Sequence, residues 1–325
     1  MRPLTLKEFE ERSADFDAQT LARPDLDAFC SGSAWVLSAN EALSPGREPW
    51  IRQGEHGTVA LMAARDGRSR LLQPLEAVWC FSCPLVGGDP ERLAREFADD
   101  LRGSERGWQA AFLTGFVDGG PLHRAVVAAL SGRYRVVPGP VTRRHVADLS
   151  RGFDAFLAAR PPKVRKSIRA AERRAAVRGI GFEELRPSTP AEALSGYARA
   201  LDVESRSWKG RQGGGLADAG MRDFYLRMLP RLASRGAARL LFARHEGRDI
   251  GFVLGGLAGR TYRGLQISFD DAYRDCSPGN LMQVRQVRSL CAEGVERYDL
   301  GQEKEYKERW AEGVMDTVMM VVVRA

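Results

Sequence analysis

The spacing of apolar and polar residues predicts one order of elements twice along this chain. In the first half, the apolar run 58–64 predicts a strand and residues 70–75 a weaker one, followed by a loop rich in Gly and Pro. Asp89 and Pro90 suit the N-cap and first turn of a helix over 91–101. Further predictions are a strand near 110–114, a helix near 121–130 and a strand near 134–137, which Pro138 ends.

The second half repeats this order more clearly. It predicts strands over 238–244, 250–254 and 261–268, a polar loop over 270–279, a helix over 280–291, a strand over 297–300, a short helix near 304–310 and a last strand over 318–323. Two copies of one order predict an α/β fold with two tandem domains, each a mixed central sheet flanked by helices. We expect the domains to cover 1–155 and 156–325.

A basic segment joins the two copies. Two prolines begin it, and the Ala-rich run behind them predicts a helix with a narrow apolar stripe of Val164, Ile168, Ala171 and Ala175. Its other faces carry mainly Lys and Arg. Two interpretations stay open: a solvated linker helix, or a face that binds the phosphates of a donor or a tRNA.

Composition narrows the class of protein. The chain has 325 residues, of which 44% are hydrophobic, so it can bury a large core. No stretch approaches the roughly 18 apolar residues of a membrane helix, and the N-terminal segment mixes both charge signs, so we expect a cytoplasmic protein without membrane insertion. The net charge of +7 would attract anionic partners such as CoA, a carrier protein or tRNA.

Metal and redox chemistry have little support in the sequence. Five cysteines are scattered, and the one CxxC pair, Cys80 and Cys83, lies in an apolar run without a second pair or paired histidines. We expect buried, reduced thiols and no metal ion.

The polar loop before the last long helix is the best candidate for donor binding. A loop that leads from a strand into a helix N-terminus presents free N–H groups and the positive end of the helix dipole, which suit a pyrophosphate. Arg274, Ser277 and Gly279 have the spacing of the acyl-CoA pattern Q/R-x-x-G-x-G/A, with serine at the middle glycine. The loop thus resembles that of the GNAT acyltransferase superfamily.

The wider context resembles the FemAB-like branch of this superfamily, including CelD-like acetyltransferases. The likeness covers about residues 155–325 and rests on the segments Trp208-Lys209, Phe269-Asp270 before Tyr273, Ser277-Pro278-Gly279, 298–301 and 305–310. The first half matches in layout alone. Its loop over 86–90 lacks the initial arginine, so we expect it not to bind donor.

The resemblance implies direct transfer of an acetyl or longer acyl group from acyl-CoA to a primary amine within a ternary complex. The acceptor would be an amine-bearing small molecule or peptide. The donor loop would span 270–281, and the substrate would contact Trp208, Lys209 and Asp270. The implied donor ligands are Arg274, Ser277, Gly279, Asn280 and Leu281.

Two catalytic groups are implied by the same resemblance. Tyr306 lies on the helix where GNAT enzymes place the tyrosine that protonates the leaving thiolate. Glu303 and Asp299, at the end of the preceding strand, are the candidates for a base. Asp270 and Glu204 are weaker candidates, and each carboxylate could instead pair with one of the many arginines. Two other functions stay open: a FemAB-like transferase that uses aminoacyl-tRNA, and a binding module without catalysis.

Overall fold

The computed structural model describes residues 1–66, 69–103 and 108–324 and divides the chain into two compact units. Unit 1 comprises Met1–Arg143 and Asp316–Ala325, and unit 2 comprises Arg144–Met315. The expected division at 155/156 differs from this arrangement because the last strand of the chain pairs within unit 1. The spacing of residues along the sequence does not show in which unit the last strand pairs.

Unit 1 contains a mixed sheet and five helices among its described residues. Its strands are β1 (Arg2–Leu4), β2 (Glu48–Gln53), β3 (Gly57–Asp66), β4 (Ser69–Pro74), β5 (Leu85–Gly87), β6 (Ala110–Val117) and the first part of β7 (Arg135–Asp148). Its helices are α1 (Leu6–Glu11), α2 (Ser13–Leu21), α3 (Ser33–Leu43), α4 (Pro90–Gly103) and α5 (Pro121–Leu130).

Unit 2 repeats this architecture. Its elements are α6 (Gly152–Ala158), α7 (Pro162–Val177), β8 (Gly181–Leu185), α8 (Pro190–Ser205), α9 (Trp208–Arg211), α10 (Ala219–Ala233), β9 (Ala238–His245), β10 (Arg248–Ala258), β11 (Thr261–Phe269), α11 (Pro278–Ala292), β12 (Arg297–Gln302) and α12 (Glu305–Glu308). The last strand, β13 (Gly313–Val323), begins in unit 2 and continues in unit 1.

Both sheets combine antiparallel and parallel pairs, which confirms the predicted fold class. In unit 1, β1, β2, β3 and β4 pair antiparallel, β4 pairs parallel with β6, and β6 pairs antiparallel with β13. In unit 2, β8, β9, β10 and β11 pair antiparallel, β11 pairs parallel with β12, and β12 pairs antiparallel with β7. Each unit therefore places one parallel pair inside a mixed sheet.

The helices bury apolar stripes against these sheets. In unit 1, Phe97 of α4 lies with its ring centroid 6.4 Å from that of Trp50. In unit 2, Ala171 and Ala175 of the basic helix α7 pack in one cluster with Leu241 and Ile250. Burial of these small side chains fixes α7 to the sheet while its charged faces stay outside.

One predicted strand was too short. The sequence favours an end at Pro138, but β7 continues through Pro138 and Pro140 to Asp148. A proline removes one hydrogen-bond donor from a strand and is tolerated where that donor has no partner to lose. Residues 144–148 of β7, beyond both prolines, carry the pairing with β12.

Candidate functional site

The parallel strands of unit 2 separate after a short paired segment. Residues 261–263 of β11 pair with residues 297–299 of β12, and neither strand continues this pairing. The register of β12 against β7 also shifts at Gly301, whose φ of 86° lies in the left-handed region. Beyond the paired residues the two strands leave a gap in the sheet.

A cavity of about 460 Å³ occupies this gap. Residues of β11 and β12 form its walls, the start of α11 closes one end, and α9 and α12 contribute the remaining side chains. Its lining residues are Trp208, Lys209, Val253, Gly264, Leu265, Gln266, Ile267, Phe269, Arg274, Ser277, Gly279, Asn280, Gln283, Tyr298, Leu300, Tyr306, Lys307, Arg309 and Trp310. The sequence-predicted donor and acceptor segments thus meet in one cavity.

The loop before α11 has a backbone shape that suits an anion. A 3₁₀ turn over Asp271–Cys276 ends at Ser277, which adopts the left-handed conformation with φ 53° and ψ 50°. Pro278 then begins α11, and Asn280 donates its backbone N–H to the carbonyl oxygen of Ser277 at 3.1 Å. The N-terminus of a helix of this length attracts negative charge at the cavity end where Arg274 lies.

Not every predicted donor or substrate ligand faces the cavity. Arg274, Ser277, Gly279 and Asn280 line it, whereas Leu281 is buried in the cluster beneath α11. Asp270 also lies outside the lining. Its carboxylate accepts hydrogen bonds from the Ala272 N–H at 3.0 Å and from Arg206 Nε at 2.8 Å, so this side chain caps the turn.

The short helix α9 places an aromatic ring and an ammonium group in the cavity. Ser207 caps α9 by accepting a hydrogen bond from the Gly210 N–H at 3.0 Å, and Glu204 accepts one from the Ser207 hydroxyl at 3.1 Å. This arrangement positions Trp208, which is 46% exposed, beside Lys209. Lys209 Nζ donates to the Ile267 carbonyl at 2.9 Å, and burial lowers the pKa of Lys209.

Glu204 has a structural role in this geometry. Its side chain is buried, and its second oxygen accepts a hydrogen bond from the Leu216 N–H at 3.2 Å. Both oxygens therefore hold the loop around α9. The expectation that Glu204 could act as a base does not fit these contacts.

The helix α12 contributes Tyr306 and Lys307. Tyr306 is 51% exposed, and Lys307 Nζ lies 5.8 Å from the centroid of its ring. Partial burial raises the pKa of Tyr306, so the phenol keeps its proton at neutral pH. Burial, followed by repulsion from Arg263, lowers the pKa of Lys307 to about 8. Lys307 Nζ donates to the Gln302 carbonyl at 2.9 Å.

The carboxylates predicted as bases do not line the cavity. Asp299 is buried, and its two oxygens lie 2.8 Å from Arg144 and 2.6 Å from Arg263. The same carboxylate accepts the Gly301 N–H at 2.8 Å, so it anchors the end of β12. Glu303 is exposed and outside the lining. A base role for Asp299, Glu303 or Asp270 therefore does not fit this geometry, because every lining residue among those described is uncharged or cationic.

Sequence reasoning missed several lining residues. Lys307 and Arg309 lie in the segment that carries the resemblance, but nothing in the sequence says which face of α12 they occupy. Tyr298 and Gln283 also lie in the lining, and the Tyr298 hydroxyl donates to Gln283 Oε1 at 3.2 Å. Their contact joins residues from β12 and α11, which only the folded chain brings together.

The corresponding place in unit 1 is filled by the chain itself. The parallel strands β4 and β6 pair only at residues 71–72 and 110–111. Just beyond, Thr114 Oγ1 donates to the Ser82 carbonyl at 2.7 Å, and a Cβ added to Gly115 would lie 2.5 Å from the Cys83 nitrogen. We call residues 79–83 the plug.

A buried carboxylate holds the plug in place. Glu76 accepts hydrogen bonds from the backbone N–H groups of Trp79 at 2.6 Å and Phe81 at 3.0 Å, with longer ones from Cys80 and Ser82. Burial raises the pKa of the Cys83 thiol to about 12, so it stays protonated. The five cysteines are free thiols. The CxxC pair thus belongs to a packed segment of unit 1.

Comparisons with known proteins agree with this architecture. Residues 162–308 match the family model described as the acetyltransferase (GNAT) domain. No curated protein matches the chain.

Within the part of the chain that the structure describes, we find no helix whose length and hydropathy would let it span a membrane.

Solved structures share the fold along almost the whole chain. The crystal structure of FemX is 14% identical, with a TM-score of 0.66, 98% of this chain covered and 97% of that one. A conserved protein of unknown function from Bacteroides thetaiotaomicron is 12% identical, with a TM-score of 0.65 and 99% of both chains covered. The structure of L-PGS from Bacillus licheniformis is 13% identical, with a TM-score of 0.50 and coverages of 85% and 84%.

Proposed function

We propose that this chain, whose residues 162–308 match the acetyltransferase (GNAT) domain, is a transferase of the FemAB-like branch, and that unit 2 transfers an acyl group from acyl-CoA to a primary amine. The observation that carries this proposal is the open gap between β11 and β12, which leads to the helix N-terminus at Ser277. A thioester in the gap would lie between exposed strand edges, with its pyrophosphate at the positive end of α11.

The strand edge that faces the gap can orient the donor. Residues 264–267 of β11 line the cavity and have no β12 partner, so part of their backbone is available to the amide groups of a pantetheine arm. At the other end, Arg274 and the loop residues Ser277, Gly279 and Asn280 would contact the pyrophosphate. This assignment keeps four of the five predicted donor ligands and omits Leu281.

We assign loss of the amine's proton to the electrostatics of the cavity. Lys209, Arg274, Lys307 and Arg309 line it without a carboxylate among the described residues. Positive charge and partial desolvation disfavour an ammonium ion, as the pKa of about 8 for Lys307 illustrates. An acceptor amine would therefore release its proton to solvent on entry and attack as the neutral form.

Tyr306 is the proposed acid. The amine nitrogen forms a bond to the thioester carbonyl carbon, the carbon–sulfur bond breaks, and the Tyr306 hydroxyl donates its proton to the leaving thiolate. The proton that the nitrogen then loses returns to Tyr306 through solvent, which restores the phenol. The raised pKa of Tyr306 keeps this proton available at neutral pH.

Donor binding is the first test. Acetyl-CoA, longer acyl-CoAs and free CoA are titrated while the melting temperature is measured, because a ligand that binds only the folded chain raises it. We expect a saturable rise with each ligand, and acyl transfer to an amine with release of free thiol. Failure of every CoA species to raise the melting temperature would overturn acyl-CoA as the donor.

A second candidate donor, aminoacyl-tRNA, is favoured by the basic face of α7. Lys163, Lys166, Arg169 and Arg173 are exposed, and Arg174 of the same helix lies 3.5 Å from the Ser277 hydroxyl at the donor loop. This face could follow a phosphate backbone towards the cavity. Filter binding with bulk tRNA between 50 and 200 mM salt tests this second donor. A protein that contacts several phosphates should bind about 10³-fold more weakly at the higher salt concentration.

A further inference from the structure

Three cations line the cavity outside the donor loop: Lys209 on α9, Lys307 on α12, and Arg309 just after α12. We infer that the acceptor bears an anionic group, a carboxylate or a phosphate, near its amine, and that Lys209, Lys307 and Arg309 bind this group. The inference rests on the proposed function and adds the chemical class of the acceptor. It follows from where these three side chains lie and what surrounds them.

Each of the three cations keeps donors for a ligand. Lys209 Nζ and Lys307 Nζ each donate to one backbone carbonyl, at Ile267 and Gln302 respectively. An ammonium group has three N–H donors, so each lysine retains two. Arg309 Nε donates to the Tyr306 carbonyl, which leaves the terminal nitrogens of its guanidinium group for other partners.

The carboxylates that favour the charged forms of Lys209 and Lys307 are engaged elsewhere. Glu204, close enough to favour the charged form of Lys209, accepts hydrogen bonds from Ser207 and Leu216. Asp299, which likewise favours charged Lys307, forms its ion pairs with Arg144 and Arg263. Among the described residues, Lys209, Lys307 and Arg309 therefore form no ion pair of their own.

Lys209 and Lys307 also repel each other. Lys209, Lys304 and Arg263 all disfavour the charged form of Lys307, which shows that the positive groups act on a common region. Like charges in a half-desolvated cavity cost free energy, and an anionic ligand would relieve that cost. One carboxylate would leave the lining net positive, so the amine of the same acceptor would still be driven to its neutral form.

The positions of the cations separate this site from the donor loop. Lys307 Nζ lies 5.8 Å from the centroid of the Tyr306 ring on α12, and Trp208 and Lys209 of α9 both line the cavity. The pyrophosphate position is instead at Arg274 and the start of α11. A small acceptor could rest its apolar part on the two rings while its anionic group contacts the lysines.

Anion binding tests the inference without knowledge of the acceptor. Inorganic phosphate and, separately, acetate are titrated into the full chain with and without saturating CoA while the melting temperature is measured. We expect a saturable rise that persists with CoA bound, and the anion with the larger effect identifies phosphate or carboxylate. The variant Lys209→Gln/Lys307→Gln/Arg309→Gln should lose this rise.

Two variants control this experiment. Lys7→Gln/Arg135→Gln/Arg248→Gln removes the same charge from exposed positions outside the cavity and should keep the rise. Arg309→Gln changes an exposed side chain and should weaken anion binding at least about threefold even if the triple variant folds poorly. An equal rise in the cavity and control variants, or no rise in the unmodified chain, would refute the anion site.

Matched acceptors then test its use in catalysis. Amino acids are compared with their amides, and glucosamine with glucosamine 6-phosphate, by release of free CoA thiol. We expect kcat/KM to be at least about tenfold higher for the anionic member of each pair, with Arg309→Gln reducing this preference. Equal rates within each pair would contradict an anionic acceptor, but they would not contradict acyl transfer itself. Absence of CoA binding would contradict the proposed donor, but the phosphate titration would still test the anion site.

Discussion

Each unit has one parallel strand pair in a mixed arrangement of strands. The gap beyond this pair is open in unit 2 and filled in unit 1. In unit 2 the gap beside β12 is a cavity with Tyr298 and Leu300 in its wall. In unit 1 the plug lies against β6, where Thr114 and Gly115 contact Ser82 and Cys83. One gap is available to a ligand, and the other is packed by the chain.

This difference separates a gap that a ligand can enter from one that stabilises the fold. Filling the gap buries Phe81, Ser82 and Cys83 and satisfies four backbone donors through Glu76. Leaving it open exposes strand edges and gathers cations, of which Lys209, Lys307 and Arg309 form no ion pair among the described residues. Both features cost stability unless a ligand binds. We therefore expect substitutions in unit 2 to change function and matched substitutions in unit 1 to change mainly folding.

The largest expected effect comes from Tyr306→Phe. Removing the hydroxyl removes the proposed proton donor, so kcat should fall by roughly 10²- to 10⁴-fold while the Kd for acetyl-CoA stays nearly unchanged. The matched variant in unit 1, Tyr134→Phe, should leave kcat unchanged. Stopped-assay turnover and donor titration measure the two quantities, and an unaltered kcat in Tyr306→Phe would remove Tyr306 from the mechanism.

Gly279→Trp should close the donor end of the open gap. The backbone of Gly279 has an ordinary negative φ, and an added Cβ would lie 3.4 Å from the Phe269 ring, so the fold can accept a side chain that fills the lining. We expect at least about 100-fold weaker acyl-CoA binding, which corresponds to about 2.7 kcal/mol. Gly88→Trp, in the loop before α4 of unit 1, should bind donor normally. Equal binding by both variants would place the donor elsewhere.

Glu76→Gln should loosen the plug. The substitution removes the charge that accepts several backbone N–H groups in a buried loop, so the free energy of unfolding should fall by about 1–3 kcal/mol. Denaturant titration measures the loss. Transfer activity measured well below the unfolding transition should remain, and a large loss of activity there would show that unit 1 contributes to the reaction.

The smallest effect concerns Lys307 and pH. The unfolded chain holds the Lys307 proton up to about pH 10.5, whereas the folded chain releases it near pH 8, so unfolding takes up a proton between these values. The free energy of unfolding therefore gains a positive dependence on pH in this window. Lys307→Met should make that dependence less positive, as judged from denaturant titrations at pH 7.5, 9 and 10. If the free energy of unfolding depends on pH equally in both proteins, Lys307 is not the group that takes up the proton.

The donor loop could be found in the sequence because its chemistry is local. Arg274, Ser277, Pro278 and Gly279 lie within six residues, and the strand before them and the helix after them follow from apolar spacing and a proline at the helix start. Trp208, Lys209 and Tyr306 were found by resemblance and line the cavity. Their proposed roles still depend on the experiments above.

The sequence could not decide whether a carboxylate acts as the base, because a strand pattern does not say what each side chain meets across the sheet. Asp299 lies at the end of a strand, where ligands often bind, but Arg144 and Arg263 come from other strands to enclose it. Lys307 lies in a segment that carries the resemblance, but its pKa of about 8 arises only in the folded chain, from burial followed by repulsion from Arg263.

The sequence by itself determined the class of fold, the order of most elements over 58–137 and 238–323, and the segment that resembles a donor loop, because these depend on spacing between near neighbours. Tertiary structure decided where the last strand pairs, which gap is plugged and which charges line the open one. Those features depend on contacts between residues such as Glu76 and Phe81, or Thr114 and Ser82, whose energies arise only when distant segments are buried together.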